Sequence, residues 1–268
     1  NIFDSTATGR LGQELLGNAN ILATMLMTST LYTIWLLVYQ KCNKISKLLL
    51  LLCLIAEYLG MFLSGGRKYI LVPIFFMYIL LLFKRDKKGR KHIIKYTIII
   101  LVIAVIIWNL IMNIPAFYES IGSRMESFFA FLNGDLSQAD GSSKIRSQMI
   151  DNGLQKWLSS PIWGYGFDSF KYFNQSVTGH FYYSHNNFVE LLYNTGILGF
   201  IAYYWYYIKL FFTAWNNKNM IQLKVRSFVI AIVFSMLFYE IGAINYTSTS
   251  IVVMLFLSSI MLQNESAQ

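Results

Sequence analysis

The sequence predicts an all-α, multi-pass integral membrane protein, and three observations lead to this class. Of the 268 residues, 56% are hydrophobic and only 13% are charged, whereas a soluble domain carries about a quarter charged residues. The uncharged residues are collected in runs close to the length of about 20 residues that a spanning helix needs. Lysine and arginine are concentrated in short loops, which is a topology signal. The net charge of +9 therefore does not indicate a nucleic-acid partner, and none is expected.

About seven transmembrane helices are predicted in one membrane domain covering residues 1–268. Their expected bounds are 20–39, 48–64, 66–83, 93–112, 187–212, 225–243 and 248–263. The basic loops 40–47, 84–92 and 213–224 are cytoplasmic by the positive-inside rule. Residues 1–19 and the long loop 113–184 then face outward. The first residues resemble the middle of a loop, so we expect further spans upstream.

The outer loop 113–184 is too long for a simple connection and is the expected functional element. Residues 118–133 and 143–158 carry apolar side chains at helical spacing. This spacing predicts two amphipathic helices on the membrane surface or over the transmembrane bundle.

One polar segment runs directly into an apolar span, at Ser184-His185-Asn186. Ser184 or Asn186 can cap the helix that follows, and its first-turn N–H groups and positive dipole end favour a nearby anion. His185 is the side chain best suited to exchange a proton near neutral pH. Glu190, one turn further on, is a candidate partner.

Positive charge on the predicted outer face opposes the topology signal and needs another reason. Arg67 and Lys68 stand there at the start of a short apolar run, where snorkelling towards the interface is one interpretation. We favour the other, in which Arg67 is an anion ligand. Arg10 and Arg146 are further candidates, with Arg146 on the polar side of its helix, although both patterns also fit solvated surface charges. The arginine fork suits phosphate because it donates two parallel hydrogen bonds.

Two carboxylates, Glu57 and Glu240, lie inside apolar runs. Ionisable residues in spans are costly and usually face a cavity or a partner. Either one could orient His185, pair with an arginine, or make a structural hydrogen bond. The two cysteines, Cys42 and Cys53, have no metal-ligand spacing. Neither a metal site nor a cofactor is expected.

Four patches in this order resemble the C-terminal part of the O-antigen polymerase and ligase superfamily. They are Gly9-Arg10 through Asn18-Ala19-Asn20; Ser64-Gly65-Gly66-Arg67; Arg146 with Pro161, Gly164-Tyr165-Gly166 and Phe170; and His185-Asn186 with Glu190 and Gly196-Ile197-Leu198-Gly199. The resemblance covers nearly the whole chain.

The resemblance implies a GT-C-type membrane glycosyltransferase that is inverting and metal-independent. The donor would be an undecaprenyl-pyrophosphate-linked oligosaccharide, met at the outer face of the bacterial plasma membrane. His185 and Arg67 would be catalytic, with His185 acting as a base or as a phosphate ligand. Pyrophosphate or sugar would contact a further set of side chains: Arg10, Arg146, Asn186, Lys68, Glu190 and Glu240. Membrane lipids, a chain-length regulator and a flippase are the other expected partners.

The sequence does not identify the acceptor. We favour a capsular or surface polysaccharide polymerase, in which the acceptor is another lipid-linked repeat. A ligase would use the same donor and transfer the glycan to a lipid or cell-wall acceptor. A transporter or channel using Glu57 and Glu240 is a third hypothesis. However, the polar residues are concentrated on the predicted outer side and do not line the full depth of the membrane.

Overall fold

The computed structural model describes residues 11–65, 67–83, 97–98, 102, 105, 108–109, 112–113, 141–216 and 223–266. Among these residues the regular structure is helical and no strand occurs, which confirms the all-α class. The helices are α1 (Gln13–Leu16), α2 (Ala19–Tyr39), α3 (Lys44–Leu63), α4 (Arg67–Phe83), α5 (Gly141–Trp157), α6 (Phe170–Thr178), α7 (Asn187–Asn216), α8 (Leu223–Glu240) and α9 (Thr249–Ser266).

Three of these helices, α2, α3 and α7, are long and apolar enough to cross a membrane. Shorter apolar helices cover Lys68–Phe83 and Thr249–Gln263. The chain is therefore a membrane protein, as its composition indicates. The complete seven-span topology stays a prediction, because most of the expected span 93–112 and the expected helix 118–133 lie outside the described residues.

The chain divides into two compact units, Asn1–Arg85 with Tyr204–Gln268, and Asp86–Tyr203. In the first unit, α4 packs against α8 and α2, and α2 packs against α3. Their shared core is apolar and fully buried; it includes Met27, Leu31, Val72, Phe76, Leu80, Phe228, Ile232 and Met236.

Helix α3 carries an exposed apolar surface of the first unit. It buries only Glu57, Gly60 and Met61, and it exposes a continuous set of large apolar side chains: Leu48, Leu49, Leu51, Leu52, Ile55, Leu59 and Phe62. An exposed apolar surface of this extent is typical of contact with lipid. The buried Glu57 accepts hydrogen bonds from Ser29 at 2.5 Å and Thr33 at 3.1 Å. These bonds join α3 to α2. Of the roles considered for Glu57, this geometry supports the structural hydrogen bond.

The second unit is built around Tyr193, which is 3% exposed. Its ring is stacked between Tyr165 and Phe173, with ring centroids 4.9 and 5.1 Å away. Helix α5 packs closely against this group, because a Cβ atom on Gly153 would lie 2.8 Å from Phe170 and 2.9 Å from Val189. The predicted amphipathic helix 143–158 thus corresponds to α5. Helix α6 was not predicted.

Helix α7 is broken at Gly196, whose backbone angles are φ 63° and ψ −169°. In a regular α-helix each N–H bonds to the carbonyl four residues earlier. Ile197 would then pair with Tyr193, and Leu198 with Asn194. The break separates the two members of each pair and leaves two carbonyls and two N–H groups to be satisfied elsewhere.

A turn at residues 158–167, which we call the wedge turn, satisfies all four groups with its own backbone. The bonds are Tyr165 N–H to Tyr193 O at 2.9 Å, Gly166 N–H to Asn194 O at 2.9 Å, Ile197 N–H to Pro161 O at 2.8 Å, and Leu198 N–H to Ile162 O at 3.4 Å. The two backbones approach so closely that a Cβ atom on Gly164 would lie 2.5 Å from Gly196 N. The wedge turn is therefore inserted between the two halves of α7.

A first prediction concerns topology. In a Cys53→Ala variant, we expect Cys42 to react with a membrane-impermeant maleimide only after intact cells are permeabilised, since its basic loop is predicted to be cytoplasmic. A Ser159→Cys variant that also lacks both native cysteines is the outward-facing control. Labelling of Cys42 in intact cells would show that the predicted orientation is wrong.

A second prediction concerns the break in α7. Gly196→Ala should abolish stable folding in detergent, because its Cβ would lie 2.2 Å from Ile162 O at a residue with positive φ. Gly179→Ala is the matched control: its φ is +77° but nothing lies within 4 Å of the added atom. Its left-handed conformation alone should cost about 1–2 kcal/mol. Equal melting temperatures for the two variants would contradict the close backbone contact.

Candidate functional site

The apolar segment of α7 begins directly after a capped, polar loop. The side-chain oxygen of Asn186 accepts a hydrogen bond from Val189 N–H at 3.1 Å, and its carbonyl accepts one from Glu190 N–H at 3.0 Å. Asn186 is thus the N-cap, one of the two caps that the sequence suggested. The cap fixes the direction in which residues 184–186, the site loop, leave the helix.

Ser184 ties the site loop to the helix from the other side of His185. Its hydroxyl donates to Asn186 O at 2.9 Å and accepts from Asn186 N–H at 3.2 Å. Its own N–H donates to the carboxylate of Glu190 at 2.8 Å. Ser184 is fully buried and Glu190 is 1% exposed. Hydrogen bonds therefore hold both neighbours of His185, and the bond from Ser184 N–H to Glu190 is buried.

His185 adopts a left-handed backbone conformation, with φ 57°. Only a few per cent of residues other than glycine have positive φ, although histidine is among the types enriched there. Such conformations persist where the surroundings determine them, and they cluster at functional sites. The ring of His185 is partly exposed and lies 4.7 Å from the ring of Tyr183, between centroids. The loop thus presents a titratable ring from a backbone fixed on both sides.

The helix start combines the expected cap with a buried acidic side chain. The cap uses one first-turn N–H, that of Val189, which donates to the side chain of Asn186. The first turn also carries the buried carboxylate of Glu190, which opposes a second negative charge at the same place. The helix start therefore already holds one acidic side chain beside the site loop.

Arg146 is exposed on α5, in the same unit. The prediction that Arg146 lies on the polar side, opposite the apolar stripe, is wrong. It precedes the buried Met149 by three residues and the buried Gly153 by seven, so all three lie on one helix face. That face packs against Val189 at Gly153. Arg146 therefore projects from the packed side of α5, two turns before the contact with α7.

The other predicted cations belong to the first unit. The ammonium of Lys68 donates to Gly242 O at 2.8 Å and lies 5.2 and 5.1 Å from the ring centroids of Tyr69 and Tyr239. These contacts join the start of α4 to the end of α8, so Lys68 has a structural role here. Arg67 is described only as the first backbone position of α4, and Arg10 lies outside the described residues.

Glu240, at the end of α8, is completely buried. Its carboxyl oxygens accept hydrogen bonds from Tyr204 and Tyr207, both at 2.7 Å, and from Asn245 at 3.1 Å. Of the roles considered for Glu240, this geometry supports the structural hydrogen bond, which links α8 to the second half of α7. A contact with substrate stays a prediction, as it does for Lys68.

Asn194, in the second unit, is a site residue that was not predicted from the sequence. Its side-chain oxygen accepts hydrogen bonds from Phe170 N–H at 3.0 Å and from the Ser169 hydroxyl at 3.1 Å. It lies four residues after Glu190, on the same helix face. An asparagine inside an apolar run is the signal that would have identified it. One face of α7 thus holds both the site loop and the start of α6.

No group of three or more histidine, cysteine, aspartate or glutamate side chains with metal-binding geometry occurs within the described residues. Of the eight predicted site residues, the structure brings together His185, Asn186 and Glu190. Arg146 lies on a helix that packs against the same helix start.

In a comparison with protein families, the family model described as O-antigen ligase matches residues 48–204. The matched region includes Arg67, Lys68, Arg146 and the site loop, and it excludes Arg10 and Glu240. No curated protein matches the chain.

A third prediction tests the role of Glu190. Glu190→Leu should lower the free energy of unfolding by about 1–3 kcal/mol, because the buried Ser184 N–H loses its acceptor. Glu190→Gln retains an acceptor oxygen and should melt close to the wild type. A Gln variant that is stable but inactive would contradict this positioning role and would indicate that the charge of Glu190 acts on substrate.

Proposed function

The chain belongs to the O-antigen ligase family, a family of glycosyl-transfer enzymes that act on lipid-linked oligosaccharides, and from this premise we propose that it is a polysaccharide polymerase. It transfers a growing glycan from undecaprenyl pyrophosphate to a hydroxyl group of another lipid-linked repeat, at the outer face of the plasma membrane. The observation that carries the proposal is the fixed, left-handed position of His185 between Ser184 and Asn186.

In the proposed reaction, the acceptor oxygen attacks the anomeric carbon of the donor sugar as the bond from that carbon to the pyrophosphate oxygen breaks. A ring nitrogen of His185 takes the proton of the acceptor hydroxyl, and the lipid pyrophosphate leaves with the bonding electrons. General-base assistance of this kind typically contributes about 10²–10⁴-fold in rate. The buried carboxylate of Glu190 beside the site loop supports this role over phosphate binding, because it opposes a second anion there.

The leaving pyrophosphate gains negative charge, which fixed donors stabilise if they are aimed at it. The proposal assigns this role to Arg146, because α5 packs against the helix that carries His185. Arg67 and Arg10 are proposed for the same role on the basis of the sequence resemblance. Each can be tested by substitution with lysine, which keeps the charge but loses the two-pronged geometry.

A ligase is the second candidate, because the matching family model carries that description. Donor, base and leaving group would be the same. The difference is the acceptor, a lipid or cell-wall hydroxyl in place of a second lipid-linked repeat. The two activities therefore leave different products when the site is inactivated.

A fourth prediction tests the site and separates these activities. The test strain makes the variant as its only copy, at matched protein level, and its lipid-linked and surface glycans are sized. His185→Asn should reduce transfer by about 10²-fold or more, since asparagine tolerates the left-handed conformation but is not a base. His180→Asn, an exposed histidine before the site loop, is the matched control.

Accumulation of single lipid-linked repeats would support polymerisation. Long chains that remain on undecaprenyl pyrophosphate would instead identify a ligase. Normal surface chains in His185→Asn would contradict the assignment of His185 altogether.

A further inference from the structure

The wedge turn exposes large apolar side chains where a loop would be expected to be polar. Leu158 is 68% exposed, Ile162 51%, Trp163 75% and Phe167 67%. No charged residue occurs from 157 to 167. Charge returns immediately on both sides, at Lys156 and at Asp168, which pairs with Lys171. The exposed apolar side chains therefore lie in an uncharged segment that is bounded by charged residues on both sides.

The position of this patch is fixed by the backbone bonds to α7. Pro161, Ile162, Tyr165 and Gly166 pair with residues 193–198 of a helix that is long and apolar enough to cross a membrane. The part of α7 after the break, residues 197–216, would be about 30 Å long, which is the hydrocarbon thickness of a bilayer. Leu198 and Ile201, just after the break, are 47% and 55% exposed. The wedge turn thus lies beside the first residues of the crossing segment.

We propose that the wedge turn is an interfacial anchor that inserts Leu158, Ile162, Trp163 and Phe167 into the membrane at the level of the break in α7. Tryptophan is enriched at the boundary between lipid and water, where its ring can be half wet and half apolar. Non-helical backbone is tolerated at this depth where protein satisfies its polar groups. Four groups of the turn, the carbonyls of Pro161 and Ile162 and the N–H groups of Tyr165 and Gly166, bond to α7.

The chemistry of the patch favours lipid over a glycan. A glycan surface needs hydrogen-bonding side chains among its rings, whereas two of the four exposed residues are aliphatic and a third is phenylalanine. The indole N–H of the neighbouring Trp157 is already used, donating to Pro161 O at 3.1 Å. Continuity with the exposed face of Leu198 and Ile201 also points to lipid.

The anchor would set the height of the site loop above the membrane. Residues 187–195 between the loop and the break would form a helical segment about 13 Å long. Its polar side chains Asn187, Glu190 and Asn194 are buried in protein, at 0%, 1% and 1% exposure. The site loop is therefore joined to the break by a buried segment of fixed length. This inference depends on α7 crossing the membrane and not on the proposed reaction.

A fifth prediction tests the anchor with spin labels in lipid nanodiscs. The label is placed by Trp163→Cys in a Cys42→Ala, Cys53→Ala background, and its collisions with oxygen and with a water-soluble nickel chelate are measured. Ile201→Cys is the lipid-exposed control. Gln155→Cys, on the polar exposed part of α5, is the water-exposed control. The ratio of oxygen to nickel accessibility at 163 should resemble that at 201 and exceed that at 155 severalfold.

Nickel accessibility at 163 equal to that at 155 would overturn the anchor, whether or not a glycan later covers the surface. If the Trp163→Cys protein does not purify as a single species, Phe167→Cys provides the same measurement. Because no donor or acceptor is present, loss of transfer activity in the label background does not affect the result. A failed anchor and a failed reaction proposal are therefore distinguishable.

Discussion

Insertion of the wedge turn into α7 is the interaction on which the second unit depends. A regular helix would satisfy the backbone around Gly196 by itself, but here two intrahelical bonds are exchanged for four bonds to residues 161–166. Each of these groups, left without a partner in lipid, would cost several kcal/mol. The break is stable only because another backbone reaches it, and Gly164 and Gly196 make that approach possible.

The other contacts of the unit start from the same helix segment. Tyr193, just before the break, supplies the ring around which Tyr165 and Phe173 stack. Asn194 holds the start of α6, and Glu190, one turn earlier, holds the site loop. Displacement of the wedge turn would therefore change the surroundings of Tyr193 and Asn194, one turn from the carboxylate that positions Ser184 and, through it, His185.

The sequence predicted the parts of this arrangement that depend on local pattern. Six described helices begin and end within four residues of the apolar runs that were predicted to span the membrane, because the length of an apolar run sets the length of the helix. Their crossing of the membrane stays a prediction. The cap at Asn186 is likewise local. Helix α6 was missed because its start depends on Asn194, 24 residues away in sequence. The break in α7 was not predicted because the apolar run continues through Gly196. The hydrogen bond from Lys68 to Gly242 was not predicted because the two residues are 174 positions apart in the sequence.

The order of the wedge turn and α7 along the chain has a consequence for biogenesis. Residues 161–166 leave the ribosome before residues 193–198, so the donors and acceptors that the break requires already exist when α7 enters the membrane. If α7 were synthesised before the turn, its backbone groups at the break would be unpaired in lipid. Otherwise α7 would first form a continuous helix and then have to break its hydrogen bonds at Gly196. Synthesis in this order allows α7 to be bent as it is inserted, with the turn acting as its template.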